Sequence, residues 1–364
     1  YDEIMGNTDN YFNFASQMGL TKNVGVSLNS SEPLTYDQMV MLFWNTLDMK
    51  ALKLDGINSY SYTDETVMEH YLKIYEGKGV VNANETAAID GRGTTGIGVV
   101  RIDSEEYFVG NTITEHLIGS NVKFYYHDDN EKTLRWIETN KSKNQTVSVY
   151  GNDITSATDK AIIYDGDSKS KTLKLDDKYM IIYNGKVSDG SIGIEAVMSL
   201  NSQNYFIDND SNGKYNVVII DSYENYNVTG VDVSKKTIYT DKKDENGNFV
   251  SVSIDGKDFV KIEMLPYGKE VNENTIEPDD LLSLSISDDK SIVRGYLCAE
   301  TVNGKVEEIF QKNGKTYITV NGTEYKTDPE FFKNSDITLD TQGEFVLDAK
   351  GRIAAFRKDN SAVN

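Results

Sequence analysis

The chain has 364 residues, 38% of them hydrophobic, with 37 basic against 58 acidic residues and a net charge of −21. That charge repels phosphate backbones and anionic headgroups, which excludes nucleic acid as a partner, and it attracts divalent cations. The length suits several small domains with cores of their own, and the patterned apolar content excludes a disordered chain.

One cysteine, Cys298, rules out an internal disulfide framework. It lies in Gly295-Tyr296-Leu297-Cys298-Ala299, a strand-like run, and reads as a buried, inert thiol. No apolar run approaches about 18 residues, so no membrane insertion is expected. Tyr1 reads as the start of a mature or trimmed chain, with any export signal upstream.

The first ~75 residues read as helical. Asp9 is placed to cap a helix carrying Phe12, Ala15 and Met18, which Gly19 ends in a left-handed turn before Leu20. Thr35-Tyr36-Asp37-Gln38 is a capping-box pattern that opens a second helix, with Met39, Leu42, Phe43, Thr46 and Leu47 on one face. The spacing of Val67, Tyr71 and Ile74 predicts a third helix from Asp64 to Tyr75.

Beyond Gly77 the texture changes to short alternating runs of Val, Ile, Tyr and Thr between turn residues. Asn184-Gly185, Asp255-Gly256 and Asn321-Gly322 read as hairpin turns, because such residues tolerate positive φ. The run from Gly79 to Ile137 and the run from Gly304 to Phe356 share one order: strand, strand, turn, short strand, spacer, strand, hairpin, strand. Five short strands in about 60 residues suit a small barrel. The stretch between reads as two related units with longer insertions. The expected fold is mainly β with a helical N-terminal module and tandem small β-barrel or β-sandwich-like domains. The expected domains are a helical module at 1–75, a small barrel at 76–140, β domains at 141–226 and 227–300, and a small barrel at 301–364.

Few constellations point to chemistry. His70, His116 and His127 lack metal spacing and adjoin no nucleophile motif. Gly91-x-Gly93-x-x-Gly96 has dinucleotide-loop spacing but no strand–helix context, and reads as a loop. Carboxylates are too abundant to single out an acid/base pair. Asp208, Asp210, Asn212 and Asn216 set oxygens at the first, third, fifth and ninth positions of a loop, with Gly213 sixth, as a Ca²⁺ loop requires. The twelfth position is Ile219, not a bidentate Glu. The alternative is a plain Asp/Asn/Gly hairpin turn. Asp244-Glu245-Asn246-Gly247 reads as such a turn. Trp44, Trp136 and the 23 tyrosines suit either sugar stacking or sheet packing.

The N-terminal residues resemble an S-layer homology module. The likeness is carried by Tyr11-Phe12-x-Phe14-Ala15-x-x-Met18-Gly19-Leu20-Thr21-Lys22, then Pro33-Leu34-Thr35-Tyr36-Asp37-Gln38 and Phe43-Trp44-Asn45-Thr46-Leu47. Residues 187–227 resemble the β-rich segments that follow such modules in surface proteins of Gram-positive, clostridia-like bacteria. The resemblance implies display in the cell wall or an S-layer, and contact with cell-wall polysaccharide through Thr35, Tyr36 and Gln38. The family has Arg where this chain has Tyr36, and Tyr cannot make the bidentate charged contact of Arg. That departure assigns wall binding to modules outside this chain.

The resulting expectation is a non-enzymatic extracellular structural protein, part of an S-layer or another self-assembling surface array. Its expected partner is a second copy of itself, with Ca²⁺ or salt offsetting the acidic surface. The alternatives are a carbohydrate-binding adhesin and a cell-wall hydrolase.

Overall fold

The computed structural model describes residues 8–24, 33–57, 59–166, 169–312 and 314–358. Strands make up 52% and helix 11%, so the protein is mainly β, built from several sheets. Among the described residues no helix is long and apolar enough to cross a membrane.

Helix Thr8–Gln17 contains Asp9 and does not start after it. It ends where Gly19 takes φ +81°. The Leu20 N–H then donates to the Ala15 carbonyl at 2.8 Å, and the Gly19 N–H to that of Ser16 at 3.0 Å. This 6→1 and 5→2 pairing satisfies carbonyls that the helix end would leave open. Asn45, on helix Tyr36–Leu47, donates to the carbonyls of Leu20 and Lys22, both at 2.7 Å. The two helices are thereby tied together.

After Leu47 the expected helical module gives way to a hairpin of Lys50–Gly56 and Ser59–Thr66. The predicted helix over Asp64–Tyr75 shrinks to Val67–Leu72. Ser59-Tyr60-Ser61-Tyr62 alternates with period two, which suits a strand. Thr66 then caps the short helix by accepting the Glu69 N–H at 3.2 Å, and Lys73 at φ +54° stops it.

Four units follow, and all share one connectivity. Strand one pairs with strand four through its first half and with strand two through its second. Strand three pairs with strand two, strand five is antiparallel to strand four, and strands five and three lie parallel. This is a five-stranded Greek-key arrangement. In the first unit the strands are Ile74–Ala83, Val99–Ile102, Glu105–Phe108, Asn121–His127 and Thr133–Thr139, and they close into a barrel.

The second unit breaks strand one into Gln145–Tyr150 and Ile154–Thr158 with the 3₁₀ turn Gly151–Asp153. Its other strands are Ala161–Asp165, Ser170–Tyr183, Ser202–Asp208 and Tyr215–Ser222. The third unit has Glu224–Asp232, Thr237–Lys243, a broken strand three (Phe249–Ser253, then Phe259–Leu265), Leu281–Ile286 and Ile292–Cys298. Asp255-Gly256 lies in that break and not in a hairpin, because Phe259–Leu265 pairs with Ile292–Cys298 instead of doubling back. Only Gly256 of the two has positive φ. Asn184-Gly185 and Asn321-Gly322 have positive φ at both residues.

The fourth unit comprises Thr301–Lys312, Lys315–Val320, Thr323–Lys326, Gln342–Leu347 and Ile353–Lys358. It is a five-stranded sheet and not the closed barrel expected, joined edge to edge only by the parallel bridge Thr327–Ile353. The reason is local. Soon after strand three, Asp328 caps helix Pro329–Asn334, which turns the chain away. Each unit has its own core, around Phe124 and Leu134, Ile162 and Phe206, Ile262 and Leu282, and Ile318 and Phe345 in turn.

Gly295 shows how tightly these sheets pack. A Cβ there would overlap the Ser283 carbonyl and lie 2.9 Å from the Leu284 Cα. Gly295→Ala is expected to lower stability by about 1–3 kcal/mol, read as an earlier urea midpoint.

Candidate functional site

The expected Ca²⁺ loop joins Ser202–Asp208 to Tyr215–Ser222. Asp208 is buried, and its carboxylate accepts the backbone N–H groups of Asp210 (3.3 Å), Ser211 (2.8 Å) and Gly213 (2.9 Å). Asp210 accepts from the Asn212 N–H at 3.1 Å and from its amide at 3.0 Å. Asn216 bonds to Asn209 of the same turn, donating to its Oδ1 at 2.6 Å and accepting its backbone N–H at 3.4 Å. Asp208, Asp210 and Asn212 thus come together as a hydrogen-bonded hairpin turn, which Asn216 joins through Asn209 and not through the carboxylates. Among the described residues no group of three His, Cys, Asp or Glu side chains is arranged to hold a metal.

Thr35 and Gln38 are occupied with each other. The Gln38 N–H donates to Thr35 Oγ1 at 3.2 Å, and the Thr35 N–H donates to Gln38 Oε1 at 3.0 Å. Tyr36 beside them is 75% exposed. The three histidines stand on separate carboxylates: His70 on Glu65, His116 on Asp221 and His127 on Asp129. The Gly91–Gly96 loop is tied down by the buried Arg101, which donates to the Gly93 carbonyl at 2.8 Å and pairs with Asp90 at 3.2 Å. Trp44 meets Tyr125 edge-on at 5.7 Å, and Trp136 lies 5.7 Å from the same ring, so these aromatics join the second helix to the first barrel.

The densest polar clusters lie where units meet. At the first junction, Asp221 ends the last strand of the second unit and is buried. Arg294 of the third unit donates to it at 2.6 Å, and His116 of the first unit approaches at 3.6 Å with its ring stacked on Tyr205. Burial opposes the charge on Arg294, but the Asp221 carboxylate outweighs it and holds the guanidinium even more firmly protonated. Lys261 bridges to Glu115 at 2.6 Å. Asn184 donates to the Ile286 carbonyl of the third unit at 2.7 Å and accepts the Ser222 N–H at 2.7 Å. Ala87 and Ile118 of the first unit pack with Ile182, Ile207, Val217 and Ile219 of the second.

The second junction is centred on Arg352. Its guanidinium donates to Asp348 at 2.7 Å and to Asp328 at 2.9 Å, and reaches Asn201 of the second unit at 3.1 Å. All three charged residues are buried. Asn225 of the third unit donates to Asp348 at 3.0 Å and accepts from Ser283 at 2.6 Å. Leu281, Cys298, Val346, Ala354 and Ala355 form the apolar half of the same contact. Burial pushes the Cys298 thiol up to about 12.

Asp221, Arg294, Asp328, Asp348 and Arg352 belong to no motif in the sequence. One signal was available: six of the 37 basic residues are Arg, and Arg101, Arg294 and Arg352 hold interior carboxylates. In a chain that uses Lys for its surface, Arg marks places where a rigid fork is needed.

No family model matches the chain, and no curated protein matches it. Among solved structures, a multidomain protein with nucleic acid binding domains from Streptococcus pneumoniae is similar at 12% identity. The similarity covers 60% of this chain and 74% of that one, with a TM-score of 0.15. Likeness at that level carries no argument for either fold or function.

Arg352→Ala leaves two carboxylates buried without their cation and is expected to cost about 3–5 kcal/mol in chemical denaturation. Arg352→Lys is expected to recover only part of that, because an ammonium cannot serve three acceptors in one plane. Native Cys298 is expected to resist iodoacetamide near neutral pH and to react at once in denaturant, as followed by mass spectrometry.

Proposed function

We propose that the chain is a non-enzymatic extracellular structural protein, a component of an S-layer or similar self-assembling surface array. The observation that carries this reading is the pair of buried junctions. Arg294–Asp221 ties the third unit to the second, Asn225–Asp348 ties it to the fourth, Arg352–Asn201 ties the fourth to the second, and one residue separates the second unit's last strand from the third unit's first. Such a stack resists bending, which suits a building block more than a machine with moving parts.

Self-association has a plausible surface. The hairpin Lys50–Gly56/Ser59–Thr66 pairs Leu52 with Tyr62 and Leu54 with Tyr60, and all four side chains are exposed. Phe43, nearby in sequence, is 65% exposed. Exposed apolar ladders on a two-stranded sheet favour pairing with another copy. The −21 charge opposes that pairing until Ca²⁺ or salt screens it. The S-layer homology likeness at 11–47 supports the cell-surface setting.

Electron microscopy and light scattering of the purified protein, with and without Ca²⁺ and at rising ionic strength, test the reading. Sheets or filaments that form on screening are expected. Monomers in every condition overturn the assembly role, and turnover of peptidoglycan or polysaccharide overturns the non-enzymatic one. Leu54→Asp with Tyr60→Asp is expected to raise the salt needed for assembly while leaving the melting temperature unchanged.

A further inference from the structure

The third and fourth units leave a groove of 610 Å³ between them. A second groove of 590 Å³ adjoins it, and the two share Phe331, Ser335 and Phe356. An elongated ligand could therefore run from one into the other. One side of the first groove is the opening strand pair of the third unit, with Asn227 and Asp241. The other is helix Pro329–Asn334 and the last strand of the fourth unit, with Phe331, Asn334 and Arg357.

The chemistry of this lining is specific. Asn227 donates to Asp241 at 3.1 Å, Lys242 pairs with Glu330 at 3.5 Å, and Arg357 pairs with Glu344 at 3.0 Å while donating to the Asp279 carbonyl at 2.8 Å. The polar groups are thus held by one another before any ligand arrives, which lowers the entropy lost on binding. Cations and carboxylates alternate, so neither sign of ligand charge is favoured. The half-buried Phe331 and Phe356 add apolar ring surface at the point where the grooves meet. Fixed amides and carboxylates that exchange paired hydrogen bonds, next to aromatic rings, match vicinal hydroxyls and the C–H faces of sugar rings.

We infer that the paired grooves bind an extended, uncharged oligosaccharide. A nucleic acid strand gains nothing from a lining of mixed sign and is opposed by the net charge of −21. The inference is independent of the assembly role, since a monomer that never assembles can still carry this site.

Calorimetric titration of the full chain with chitohexaose and with maltohexaose tests it, with a single-stranded deoxythymidine 12-mer and an uncharged dodecapeptide as comparators. Binding of at least one hexasaccharide is expected. Phe331→Ala is expected to weaken it about tenfold, the loss of one aromatic contact and its desolvated surroundings. Asp241→Asn, at an exposed position, is expected to weaken it several-fold with an unchanged melting curve, which separates a binding loss from misfolding. The inference is overturned if neither hexasaccharide binds by about 10 mM, if binding survives both substitutions, or if a comparator binds more tightly than both sugars.

Discussion

The structure depends on burying a guanidinium between units without leaving it unpaired. A five-stranded unit of 60 to 80 residues has too little interior to hold a neighbour by apolar contact alone. The junction patches are accordingly small: Leu281, Cys298, Val346, Ala354 and Ala355 at one of them. A buried charge added to such a patch destabilises it unless every donor finds an acceptor. Arg352 meets that condition by serving Asp348 and Asp328 in its own unit and Asn201 in another. Its partners have further tasks. Asp328 caps a helix and Asp348 closes a turn, so the ion pair is positioned by backbone geometry and not by mobile side chains.

This constraint makes the junctions directional. Where the carboxylate lies in the neighbouring unit, as Asp221 does for Arg294, the pair fixes the relative position of the two units more narrowly than apolar contact would. The connectivity assists, because strand one of each unit is shared between strands four and two. One residue links the second unit to the third, and two link the third to the fourth. Short connections and these polar contacts hold the second, third and fourth units against one another. The net charge of −21 acts between molecules instead, where like charges repel.

The middle units show how an insertion is absorbed. Each extends between strands three and four, and each uses the added chain to lay a short strand on the end of strand three: Lys186–Val187 in one, Lys269–Val271 in the other. The second insertion lies close to the groove at the fourth unit, since Asp279 belongs to it. The same extra length that disguised the repeat therefore built new surface.

The sequence by itself determined the local elements. Period-two alternation gave the strands, Gly19 and Asn321-Gly322 gave their turns, and Thr35-x-x-Gln38 gave its capping box, because each depends on residues a few positions apart. It also exposed the shared order of the first and last units, where spacing is short and regular. Alternation in Ser59–Tyr62 is legible as a strand as well, while the helical spacing of Val67, Tyr71 and Ile74 over Asp64–Tyr75 is realised only at Val67–Leu72. Only the tertiary structure decided that Phe259–Leu265 pairs in parallel with Ile292–Cys298, that the fourth unit stops short of full closure, and that Arg294 and Arg352 meet their carboxylates. Arg294 and Asp221 are 73 positions apart, and Asn225 and Asp348 are 123 apart. Pairings at that separation are selected by the balance of burial and desolvation in the folded chain, which no local pattern records.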